Sequence, residues 1–227
     1  MATIQPASGI ADMGGTDGWG TAPTIDPDEK VFKEQWEGRA FALALLSMRL
    51  SGTNLDAFRH SMNRLDREHY IDDGYYGRWL YGAENLLMDS RIIAPGAVEA
   101  RAVNLSGGQA DEPPAPEPDK PDYAPTAGGS LRQISDEPKF AVGQRVRAKV
   151  QQAPGHTRLQ HYIQGHLGTV VIIEPPQVLP DTHAHFIAEN AQWVYTVAFS
   201  STELFGPDAE RFTLNTDCYE DYLEDAS

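Results

Sequence analysis

Hydrophobic periodicity divides the chain into a helical first half and a strand-rich second half. Over 29–50, Phe32, Trp36, Ala40, Ala44 and Met48 recur every fourth residue, with Phe41 and Leu45 beside them. That spacing predicts a first helix, ended by Gly52. Asn54 is a good N-cap for a second helix to about residue 63. A third helix is expected over 75–88, with Tyr75, Trp79, Ala83, Leu86 and Leu87 on one side. Pro95 suits the first turn of a short helix through about residue 103. After residue 139 the period changes to two. Val146, Ala148 and Val150 alternate with Arg145, Arg147 and Lys149, the pattern of a half-buried strand. The apolar run 168–173 reads as a more buried strand, and 193–199 as a third. With the segments that follow, four or five short strands suit a small SH3-like barrel.

Two stretches have no period at all. Residues 11–29 contain Gly14, Gly15, Gly18 and Gly20 with two prolines, which forbid a regular element. Trp19 has no local core there. It is expected to plug a pocket in this chain or on a partner, and we favour the partner; the alternative is a disordered tail. Residues 106–138 carry Pro113, Pro114, Pro116, Pro118, Pro121 and Pro125 among acids, then Gly128-Gly129. This reads as an extended linker. The expected fold is therefore α+β. A glycine-rich arm spans 1–28, a helical domain 29–105, a Pro/acid-rich linker 106–138 and an SH3-like β-barrel 139–227.

Composition narrows the function. The chain has 227 residues and a formal net charge of −15. Phosphate backbones demand clustered Lys and Arg, so a nucleic-acid role, including an RNA-binding barrel, is excluded. An anionic membrane surface is disfavoured for the same reason. No apolar run reaches the roughly 18–20 residues of a spanning helix. The first residues carry neither the basic nor the apolar region of a secretory signal, so a cytoplasmic location is expected. A single cysteine, Cys218, excludes an internal disulfide framework and a Cys-cluster metal site in this chain. His183 and His185 form a His-X-His without a third ligand nearby in sequence, and a solvated loop is expected. There is no Gly-X-Ser-X-Gly elbow, no His-Glu-X-X-His and no Cys nucleophile with a plausible His partner. The chain does not read as a self-sufficient enzyme.

Two arginines stand out. Arg59 lies inside the apolar face formed by Leu55, Phe58, Met62 and Leu65. Either its stem snorkels to solvent, or it meets an anion that this helix does not supply. Arg158 lies in the loop Pro154-Gly-His-Thr-Arg158 between the first two strands. Rigid scaffolds present chemistry on such loops, although an ordinary surface arginine also fits.

Asp12-Met-Gly-Gly-Thr-Asp-Gly-Trp-Gly20, Glu34-Gln-Trp-Glu37, Leu55-Asp-Ala-Phe-Arg59 and Tyr75-Tyr-Gly-Arg-Trp79 resemble the β subunit of nitrile hydratase. So do Gly155-His-Thr-Arg158, Gly165-His-Leu-Gly-Thr-Val-Val171, Tyr195-Thr-Val-Ala-Phe199, Glu203-Leu-Phe-Gly206 and Asp217-Cys-Tyr-Glu-Asp-Tyr-Leu223, in the same order. The resemblance implies hydration of small-molecule nitriles to amides by an α–β heterodimer, expected as α2β2. The metal, Fe(III) or Co(III), would be bound by a Cys cluster of the α subunit, and none by this chain. Two of those cysteines would be oxidised, and Arg59 and Arg158 would donate hydrogen bonds to their oxygens. A planar guanidinium keeps its charge and donates in a fixed fork, which suits that task. Tyr75 matches a tyrosine near the active site. Leu55, Phe58 and Trp79 match residues lining the substrate pocket. Departures at Ala44, Arg78 and Leu159 bear on substrate range. A thiocyanate hydrolase of the same superfamily is the nearest alternative, but its subunits split this chain into two polypeptides. A non-catalytic maturation partner would match mainly the helical half.

Overall fold

The structure is a computed structural model and describes residues 9–15, 27–152 and 154–226. It divides into a helical unit, from residue 25 to 123, and a sheet unit, from 124 to the end, to which residues 9–15 also belong. The division falls inside the proline-rich stretch. No helix among the described residues is long and apolar enough to cross a membrane.

In the helical unit, α1 spans Gln35–Ser51. It begins later than the periodicity predicts, because Glu34 and Glu37 form a capping box there. Its buried positions are Ala40, Ala44, Ser47 and Ser51, all small, which lets it lie close against α3 (Gly74–Asp89). Trp36 and Leu45, expected to face inward, are exposed instead. α2 (Leu55–Asn63) starts where Asn54 accepts the Ala57 N–H at 2.9 Å. One π-helical turn, Glu68–Asp72, joins α2 to α3. α4 (Ala97–Leu105) follows Gly96, whose positive φ of 76° suits glycine.

The sheet unit is a five-stranded antiparallel sheet. Its strands are β1 (Arg145–Ala148), β2 (Leu167–Gln177), β3 (Gln192–Ser200), β4 (Thr213–Tyr219) and β5 (Leu223–Asp225). Two short helices are inserted, α5 (Pro180–His183) and α6 (Ser201–Phe205). The strand order is β4-β3-β2-β1-β5. The expected barrel is not closed, for among the described residues no ladder joins β4 to β5. Yet β4 and β5 are consecutive, separated by the single 3-10 turn Glu220–Tyr222. A flat five-stranded sheet would hold its edges about 19 Å apart, while four residue steps reach at most about 14 Å. The sheet must therefore curl, and irregularities at Val170/Ile172 and Glu174/Gln177 in β2 supply bends.

The alternation expected in β1 holds for Val146 and Ala148, which are fully buried, but Val150 is 79% exposed because the strand stops at Ala148. β2 is not buried on both faces either. Val170 is buried, whereas Val171 and Ile172, at the bend, are exposed. The core gathers Val146, Leu159, Ile163, Val170, Tyr195, Val197, Phe199 and Tyr222.

Trp19 lies outside the described residues. The described piece of the arm, residues 9–15, packs on the sheet unit. Asp12 accepts the His161 N–H at 2.9 Å, and its other oxygen lies 3.0 Å from His161 Nδ1. Gly14 and Gly15 sit on the Tyr162 ring, where any Cβ would overlap it.

Candidate functional site

Arg59 projects from α2, and its Nη1 donates to Asp56 Oδ1 at 3.0 Å. The Asp56 side chain is 9% exposed and that of Arg59 41%. This corrects one expectation. The helix does supply an anion, three residues earlier, where i,i+3 side chains are neighbours. That pairing uses one of the five N–H donors of the guanidinium, so the rest of the fork remains available.

Aromatic rings gather beside Arg59's helix. Phe58 is fully buried and meets Trp79 edge-on at 5.3 Å. It therefore supports Trp79 from behind rather than lining an open surface. Trp79 also packs on Phe41 at 5.4 Å and on Tyr75 at 5.8 Å. Tyr75 is 56% exposed and Leu55 is exposed beside α2's start. Arg78 is a residue that sequence reasoning noticed only as a departure. Its guanidinium carbon lies 4.4 Å over the Tyr70 ring and 5.4 Å from that of Tyr75. The i,i+3 spacing of Tyr75 and Arg78 was a readable signal for that stack. Leu55, Phe58, Arg59, Tyr75 and Trp79 thus all belong to the helical unit.

Arg158 belongs to the sheet unit, on the loop between β1 and β2. Residues 154–159 of the loop are irregular but tied down by hydrogen bonds. Its neighbours His156, Thr157 and Leu159 are buried, while Arg158 is exposed. His156 N–H donates to His185 Nε2 at 3.0 Å, and Gly155 leaves no room for a Cβ against that ring. The Arg158 N–H donates to Tyr222 Oη at 3.1 Å, and Leu159 N–H donates to Thr157 Oγ1 at 3.2 Å. The Tyr222 hydroxyl donates to Asp181. Burial raises the Asp181 carboxyl above its ordinary range, opposed by hydrogen bonds from Tyr222 and Thr157. Burial, then the Asp181 charge, pushes the Tyr222 phenol up, so the proton stays on the phenol. Among the described residues the Arg158 guanidinium has no carboxylate partner, unlike that of Arg59.

The two loop histidines are not solvated as expected. His183 is buried in α5, and His185 holds the Arg158 loop. Among the described residues no three His, Cys, Asp or Glu side chains are placed to hold a metal ion. Cys218 is fully buried, and burial pushes its thiol up to about 12, which leaves it a core residue rather than a nucleophile.

The family follows from comparison. Residues 7–125 match the N-terminal domain model of the nitrile hydratase beta subunit, and residues 129–225 match the C-terminal one. A nitrile hydratase subunit beta from Pseudomonas putida is 36% identical over 221 residues, covering 96% of this chain and 100% of its own. The beta subunit of a cobalt-containing nitrile hydratase from Pseudonocardia thermophila is 31% identical, covering 96% of each chain. A thiocyanate hydrolase subunit alpha from Thiobacillus thioparus is 31% identical over only 42% of this chain. The chain belongs to the nitrile hydratase beta-subunit family.

Proposed function

We propose that this chain is the non-metal-binding subunit of a nitrile hydratase and works only with an alpha subunit that carries iron or cobalt. In this reading Arg59 and Arg158 donate to oxidised cysteine oxygens of the partner. Tyr75, Leu55 and Trp79 face the nitrile, with Phe58 as their support. The observation that carries it is the state of Arg158: its backbone is fixed by Tyr222 while, among the described residues, its guanidinium has no carboxylate partner. A charged fork held in place and unpaired suits an anion from another chain. The outward face of α1 supports the partner. Leu43, Leu46 and Leu50 are exposed along it, a run of large apolar side chains that a monomer rarely leaves in water. The match of both family models argues against a maturation partner resembling only the helical half, and against a subunit equivalent to half of this chain.

The test is Arg59→Lys and Arg158→Lys in the assembled complex. Charge and stem length survive, so the fold and the heterodimer should persist. Nitrile hydration should fall roughly 30- to 1000-fold, the cost of about 2–4 kcal/mol at a reacting centre. The metal's visible absorption should shift. Near-normal turnover in both variants, with an unshifted spectrum, would return both arginines to structural roles. Amide production by this chain alone would overturn the subunit reading.

A further inference from the structure

The C-terminal motif that contains Tyr222 has no part in the chemistry assigned above, yet it reaches the one loop that has. Tyr222 is 1% exposed and its hydroxyl lies at a three-way junction. It donates to Asp181 on α5, accepts the Arg158 N–H at 3.1 Å and lies 3.3 Å from Thr157 Oγ1. Three segments distant in sequence meet there: the loop, the helix that follows β2, and the turn between β4 and β5. A core tyrosine needs one hydrogen-bond partner for its hydroxyl. Here the hydroxyl is also the acceptor for the backbone of an exposed residue. Among the described residues no strand ladder offers that amide another protein partner.

We propose that Tyr222, oriented by Asp181, is a positioning residue that latches the backbone of Arg158 and so fixes where its guanidinium points. The proposal rests on the functional reading above. Asp181 takes the tyrosine's proton-donating side, which turns the oxygen's lone pairs toward Thr157 and Arg158. The side chain of Arg158 is long and exposed, so its aim depends on its backbone being fixed. A misplacement of a reacting group by about 1 Å can cost on the order of a hundredfold in rate.

Tyr222→Phe in the full chain, alone and assembled with its alpha subunit, tests this. The ring packing stays and only the hydroxyl goes. Amide exchange, followed by mass spectrometry on the free full chain, should quicken about tenfold or more over 157–159 while β2 and β3 keep their protection. Unchanged exchange in the loop, or equal loss across loop and strands, would overturn the latch. In the complex, kcat for a simple nitrile should fall about tenfold with KM little changed. The double variant Tyr222→Phe with Arg158→Lys should be no slower than Arg158→Lys alone, because both changes act on one group. Losses that multiply would overturn action through Arg158. Asp181→Asn keeps an acceptor for the phenol and should cost less than Tyr222→Phe; a larger loss would overturn the order of the junction. If the unaltered complex hydrates no nitrile, the functional reading fails, while the exchange measurement still decides the latch.

Discussion

The helical and sheet units bury different things. The sheet unit encloses large side chains: Tyr195, Tyr222, Phe199, Leu159, Ile163 and a set of valines are fully buried. The helical unit buries mainly small ones, Ala40, Ala44, Ala57, Ala83 and the serines of α1 and α2, around Phe58, Tyr70 and Leu86. Its larger residues point outward: Leu46 is 64% exposed, and Leu43, Leu45, Leu50 and Leu55 are exposed with it. A region whose small residues face in and large ones face out leaves a broad apolar surface exposed. The sheet unit keeps its own core, and its Arg158 is held through its backbone N–H by Tyr222. The helical unit's arginine is held by a neighbouring carboxylate.

The sharpest way to break this contrast is to remove a ring from each core. Phe199→Ala and Phe58→Ala should each cost about 3–5 kcal/mol. The consequence should differ. Among the described residues Phe58 is the only large fully buried side chain of its unit, so its loss should unfold the helical unit ahead of the sheet. Loss of Phe199 should leave a cavity in a core that still holds together. Urea unfolding followed by exchange in peptides from each unit would check this. Simultaneous loss of protection in both units for both variants would erase the distinction.

Glycine at close approaches gives a smaller effect. A Cβ on Gly82 would come within 2.5 Å of Met62 Cγ, which is flexible, and 3.2 Å of Ser61 Oγ. A Cβ on Gly168 would come within 2.5 Å of Val197 Cγ1 and 3.1 Å of the Ala198 carbonyl oxygen, which is backbone. Both alanine variants should be destabilised by about 1–3 kcal/mol, with Gly168→Ala the worse, because the tighter core has less room to give. Midpoints of thermal unfolding would rank them.

Much of this was legible in the sequence, and what was not has a physical cause. The helices α2 and α3 and the strands β1 and β3 follow from caps and periods. The start of α1 was misplaced because Phe32 continues its period beyond the capping box. The inward face of α1 was misread because large side chains were taken as the core. In a chain built to meet another, periodicity marks an apolar face without saying which molecule covers it. Arg59 and Arg158 were visible as anomalies. Asp56 was readable as an i,i+3 partner of Arg59. The Tyr222–Asp181 junction was not, because it joins residues 41 apart in sequence, with the loop 64 residues from Tyr222, through a fold that spacing does not encode.

The exposed leucines sharpen the comparison from outside. Leu46→Glu should leave the free chain's stability within about 0.5 kcal/mol, since it removes no buried contact. It should weaken assembly with the alpha subunit about tenfold or more, as a charge does in the apolar core of an interface. Sedimentation on dilution would measure it. Unchanged assembly for both Leu43→Glu and Leu46→Glu would place the partner elsewhere.

The smallest effect concerns acid. In the sheet unit, Glu189 accepts from Arg132 Nε at 2.8 Å and Nη2 at 2.5 Å, and from Thr126 N–H at 2.8 Å. These bonds tie the end of the proline-rich stretch to the sheet unit. The Arg132 guanidinium, ahead of the Thr126 donors, holds the Glu189 carboxyl down to about 2 from an ordinary 4.5. The sign follows from linkage. A carboxyl depressed by folding contributes stability that is fully present above its unfolded value, near 4.5, and is lost as pH falls toward about 2. The Arg132 and Glu189 side chains are 7% and 16% exposed, and with their desolvation subtracted these charge-assisted bonds are worth on the order of 1 kcal/mol. In the helical unit the depressed carboxyls, Glu29, Asp66 and Glu112, are paired with groups in open solvent and should matter less. Between pH 4.5 and 2.5 the sheet unit should therefore lose its tie to 124–132 before its strands. Exchange over that segment, relative to the intrinsic rate at each pH, should rise steeply in the unaltered chain. In Glu189→Gln it should already be high at neutral pH and change little across the window. A segment equally protected at both ends of the window would mean the bonds from Arg132 and Thr126 do not hold it.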